Sequence, residues 1–123
     1  MAQEKYIMPT GDQFKQLMTQ DYKGPIIMIN LLKFKKDGGR ESYARYSEGL
    51  QESFQRIGGE IIEGGDTIMT VIGNEVWDEV LVVRYPSIEA FIEMQRDKGY
   101  QAAVPHRTEA IEDSRLIAVK AAN

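Results

Sequence analysis

The period of apolar positions changes along this chain, and each change marks an element. Ile26–Phe34 (IIMINLLKF) is an almost unbroken apolar run, short and β-branched enough to be a buried strand. From Arg40 the spacing becomes helical: Tyr43, Tyr46, Leu50, Phe54 and Ile57 recur every three or four residues, and Gly58-Gly59 closes the helix. Residues 60–63 and 67–72 read as one strand interrupted at Gly64-Gly65-Asp66, where a bulge is expected. Residues 73–75 turn the chain and 78–85 return as a strand. Ser87 then caps a second helix whose inner face is Ala90, Phe91 and Met94. Residues 97–107 read as one or two short helical turns around Pro105, and 115–120 (RLIAVK) as the last strand. Ahead of all this, Thr10-Gly11-Asp12-Gln13 has capping-box spacing, and Phe14, Leu17 and Met18 follow on one face, predicting a leading helix over 11–20.

The element order is βαββαβ with an extra N-terminal helix. It predicts an α+β, ferredoxin-like sandwich with a four-stranded antiparallel sheet and both helices on one face. The expected domain is single, 1–123, with its core at 25–120 and the N-terminal helix within 10–20. A sheet with one wet face should alternate apolar and polar residues, yet residues 26–32 and 80–83 are apolar on both faces. Helices cover only one face, so the other is expected to pack on a second sheet in a homodimer, a dimeric α+β barrel. The competing reading is a sticky sheet partly covered by the N-terminal helix.

Composition narrows the chemistry. Across 123 residues, 42% are hydrophobic and 28% charged, which suits a globular chain and not a disordered one. The net charge of -4 gives no electrostatic help toward nucleic acid or an anionic membrane, so neither is an expected partner. The element order is shared with RNA-recognition domains, but Ile27 stands where a base-stacking aromatic is usual. No segment approaches the ~20 apolar residues of a membrane span, and a cytoplasmic location is the default expectation. With no cysteine and one histidine, no metal site and no cofactor are expected.

The remaining polar groups define the candidate site. His106 is the one side chain whose ordinary pKa lies near neutrality, which makes it the candidate catalytic base; a helix cap or surface role is the structural alternative. Arg107 offers a planar fork to a carboxylate or enolate oxygen, or pairs with an acidic neighbour. Asn30 inside an apolar strand, and Arg84 near a strand end, each need a partner, internal or ligand. Tyr46, on the helical stripe beside Tyr43, is a core residue or a ligand-orienting hydroxyl, and Tyr100 is the aromatic best placed to reach His106. Trp77 is expected in the dimer seam or over a cleft.

Several phrases carry a family likeness: Asn30 in the first strand, the first long helix with Gly58-Gly59, VLVVRYPSIEAF, Gly99-Tyr100-Gln101, Pro105-His106-Arg107 and the closing RLIAV. Together they resemble the family called domain of unknown function 1330, within the dimeric α+β barrel superfamily, over roughly residues 25–119. The segment GGDTIMTVIGNEVW is longer and more apolar than the central hairpin usual there. The resemblance implies a ferredoxin-like fold and a dimer built by packing two sheets, with no settled activity. The wider superfamily includes cofactor-free monooxygenases, small-lactone isomerases, haem enzymes and ligand sensors. The expected function is a homodimer with a pocket for a small polar or anionic organic ligand between helices and sheet. Its chemistry, if it is an enzyme, is cofactor-free proton transfer or oxygenation; the alternative is a non-catalytic binding or structural module.

Overall fold

The computed structural model describes residues 4–122. Its elements run α1 (Gly11–Met18), β1 (Ile26–Phe34), α2 (Gly39–Arg56), β2 (Glu60–Asp66), β3 (Glu79–Tyr85), α3 (Ile88–Arg96), α4 (Lys98–Ala110) and β4 (Ile111–Lys120). The four strands form one antiparallel sheet in the order β2-β3-β1-β4, the ferredoxin-like arrangement.

Register sorts the side chains by face. Ile26 lies opposite Tyr85 and Met28 opposite Val83, and all four are buried under the helices with Phe91 and Met94 of α3. The residues between them, Ile27, Ile29 and Leu31 of β1 with Val80, Val82 and Arg84 of β3, therefore point to the opposite, outer face. β4 adds Ile117 and Val119 to that face, opposite Ile29 and Ile27. These outer side chains remain half-buried or exposed, so the two-faced apolar pattern is a property of the folded sheet.

The caps follow the sequence. Thr10 and Gln13 close the capping box of α1, and the Ser87 hydroxyl accepts the amide of Ala90 to start α3. Four expectations are corrected. Residues 67–72 are not strand: the last rung, Thr67 N to Asp78 O, ends the β2–β3 ladder, and residues beyond it have no neighbouring strand to pair with. The register shift falls between Ile61 and Glu63, ahead of the glycines. Residues 98–110 form one continuous helix, not separate short turns, with Pro105 inside it. Asp97 starts it by accepting the Tyr100 amide, and Pro105 costs the bond its missing N–H would donate to the Gln101 carbonyl together with the crowding of its ring against that carbonyl. β4 consequently begins at Ile111, earlier than the apolar pattern indicates.

Candidate functional site

α2 and α4 lie side by side over the sheet, and their contact builds the site. Gly49 and Ala103 meet there; a Cβ on Gly49 would stand 2.9 Å from that of Ala103, so the helices approach as closely as glycine permits. The clamp continues through Ser42, whose hydroxyl donates to Glu109 at 3.1 Å and accepts from Arg45 at 3.1 Å.

On the sheet side of this pair, Tyr46 of α2 and Tyr100 of α4 face each other with hydroxyl oxygens 2.9 Å apart. Both rings are 7% exposed and meet edge-on, and Tyr43 and Phe34 extend the aromatic row at centroid spacings of 5.3 Å. Burial pushes the Tyr46 phenol well up and that of Tyr43 up to about 12, while the Arg107 charge pulls both the other way. Arg107 itself donates to the Ile7 carbonyl and, at 3.4 Å, to the Ser114 hydroxyl. A hydroxyl pair shares one of its two protons, so one phenol keeps an O–H free to donate elsewhere.

On the solvent side, a groove of about 330 Å³ is lined by Arg45, Glu48 and Gly49 of α2 and by Gly99, Ala102, Ala103 and His106 of α4. Tyr100 and Arg107 stand seven residues apart and share a helix face, whereas His106 lies roughly 120° around the axis from Tyr100. Adjacent in sequence, His106 and Arg107 thus serve different sides of α4.

The other two candidates separate across the sheet. Asn30 is on the helix side, its amide nitrogen donating to the carbonyls of Met28 and Leu81, each at 3.4 Å. Arg84 is on the outer face, between Ile27 and Glu60 in register, and does not join the others. Trp77 is buried and carries the Arg115 guanidinium 5.0 Å from its ring centroid. Arg45 and Glu48 escaped the sequence reading; their signal was an ion-pair-like spacing of three on α2 beside a mid-helix glycine. Among the described residues no group of three or more His, Cys, Asp or Glu could hold a metal ion, and no helix is long and apolar enough to cross a membrane.

Comparison with known proteins places this geometry in a family. A family model described as domain of unknown function (DUF1330) matches residues 29–122. The RPA0582 protein of Rhodopseudomonas palustris, of unknown function, is 39% identical and superposes with a TM-score of 0.90 over 98% of this chain and 99% of its own. A dimeric protein of unknown function and ferredoxin-like fold from Bacteroides fragilis has 16% identity and a TM-score of 0.54, over 80% of this chain and 99% of its own. A candidate antibiotic biosynthesis monooxygenase from Nitrosomonas europaea has 9% identity and a TM-score of 0.62, over 84% and 95%. The last two likenesses are of fold alone. None of the curated proteins matches the chain.

Proposed function

We propose that this chain, a member of the family described as domain of unknown function (DUF1330), is a homodimer in which each subunit binds a small polar or anionic organic molecule along the α2–α4 seam. The observation that carries the reading is the Tyr46–Tyr100 hydroxyl pair, held at 2.9 Å in an otherwise aromatic layer with the Arg107 charge acting on it. Its spare O–H suits a carboxylate, phenolate or enolate oxygen, and Arg107 balances the charge such a group brings. Asn30 lies on the same side of the sheet, with an amide oxygen left to accept. Gly49 and Ala103 close the seam, with His106, Arg45 and Glu48 lining the groove outside and the two phenols within, so a ligand that reaches both sides has to part the helices there.

Under this reading the chemistry is proton transfer, or oxygenation of an activated ring or enol by dissolved dioxygen, which takes the substrate's electrons, one oxygen entering the product and the other leaving as water. The phenol pair with Arg107 steadies the oxyanion, and His106, on the other side of α4, takes the proton that is relayed to the solvent-side groove. The fold supports it by analogy: the Nitrosomonas protein is a candidate monooxygenase on the same scaffold. A non-catalytic module is the second reading, favoured by the tight burial of both rings, which makes the pair an internal strut.

A thermal-shift series of small acids, phenols and quinones separates the two. Ligand at a hundred times its Kd stabilises the native state by about 2.7 kcal/mol. Stabilisation is expected for the wild type and should fall about tenfold in apparent affinity in Tyr46→Phe or Tyr100→Phe, which keep the rings. Binding that survives both substitutions sinks the proposed site. With a substrate in hand, unchanged turnover in His106→Ala removes its role as base.

A further inference from the structure

Residues 67–78 form an arm that overhangs the sheet end where β2 stops and β3 starts. Its tip is apolar and bare: Ile68 is 98% exposed, Val71 84% and Ile72 91%. The arm is nevertheless fixed. The Thr70 hydroxyl donates to the Glu75 carbonyl at 2.5 Å across the turn at Gly73, whose φ of 114° suits glycine. At its base Arg115 of β4 pairs with Glu75 at 3.0 Å and stacks on Trp77. A rigid projection carrying several uncovered β-branched side chains is costly in water, and single exposed apolar residues do not amount to this.

The opposite end of the sheet carries a matching hollow. A groove of about 400 Å³ lies between α1 and β4, its apolar lining (Leu17, Tyr22, Ile26, Ile88, Ala118 and Val119) interspersed with three glutamines of α1 and its C-terminal turn and with Lys120. Ile26, Ala118 and Val119 sit where β1 begins and β4 ends, one sheet length away from the arm. The chain's own arm cannot reach it.

We propose that the arm tip of one subunit packs into the α1–β4 groove of a second copy, reciprocally. This rests on the dimer formed by the outer sheet faces. Two sheets face each other when the two-fold axis lies between them, and an axis running across the strands sets the arm end of one over the groove end of the other. An arm extending up to ~20 Å past its own sheet then reaches around the partner's end. Area points the same way. Four strands about 4.8 Å apart and seven to ten residues long cover roughly 520 Å² in plan, whereas stable interfaces bury ~800 Å² of accessible surface per partner. The arm and groove extend the contact.

The chain has no cysteine, so engineered pairs report cleanly. Ile72→Cys and Ala118→Cys chains, both altered at exposed positions, are mixed, oxidised and resolved without reductant, with oligomeric state followed by light scattering. The expected product is the 72–118 mixed disulfide, with each single variant alone staying uncrosslinked. In addition, Ile72→Asp should weaken the dimer at least tenfold while leaving the circular dichroism of the fold unchanged. Crosslinking of Ile72→Cys to itself would place the two arms together and overturn the inference. So would a wild-type dimer that gives no 72–118 product, in which case the sheet-face dimer stands alone. A wild-type monomer removes both.

Discussion

Tyr43 and Tyr46 show what single residues contribute. Burial raises both phenols, Tyr43 up to about 12, with Arg107 opposing, whereas an unfolded tyrosine ionises near ~10. Above pH ~10 the unfolded chain therefore gives up protons that the folded chain keeps, and stability falls as pH rises toward 12. Below ~10 this contribution is fully present. Alkaline titration should show the buried phenols silent at 295 nm until far-UV circular dichroism is lost. Tyr43→Phe, which keeps the ring but cannot ionise, should flatten the loss of urea resistance between pH 10 and 11.5. Early phenolate absorbance from a still-folded chain would mean that Tyr43 and Tyr46 are wet. The stripe spacing on α2 made both tyrosines visible in the sequence. It could not show that Tyr46 meets Tyr100, because that contact joins residues 54 positions apart. Nor could adjacency show that His106 and Arg107 diverge, since that depends on both lying inside one helix.

At the scale of elements, β1 and the start of α3 were legible because their signals are local: an unbroken apolar run and a serine cap. α4 was not, because Pro105 reads as a breaker while its cost is decided by what surrounds it. Its ring is exposed and contributes no core packing, so the helix loses little beyond one hydrogen bond to Gln101 and local carbonyl strain. Pro105→Ala should then restore the bond and raise stability in urea by up to about 3 kcal/mol. An unchanged or lowered midpoint would show that the proline is needed to set the angle at which α4 hands over to β4. Residues 67–72 failed for the opposite reason. Their strand-like composition is real, but a strand exists only where a ladder does, and β3 has already begun to pair elsewhere.

For the molecule as a whole, the outer sheet face is what the proposed dimer would cover. Ile27, Ile29, Leu31, Val80 and Val82 line it in register, and β4 extends it with Ile117 and Val119. Among the described residues no helix covers that side, since α2, α3 and α4 all pack on the buried face. Val82 gives the sharpest test because of its neighbour. It pairs with Glu63 across the β2–β3 ladder, so Val82→Lys places an ammonium opposite a carboxylate within one subunit. The monomer fold loses little, while two such lysines brought toward each other across a two-fold seam repel and carry their desolvation cost with them. Wild-type protein should scatter light as a dimer at micromolar concentration. Val82→Lys should scatter as a monomer with native circular dichroism, and Glu63→Lys in the same chain should destabilise that monomer by removing the compensating charge. If Val82→Lys remained dimeric, the sheet faces would not be the seam. The apolar register of β1 and β3 would then need another cover.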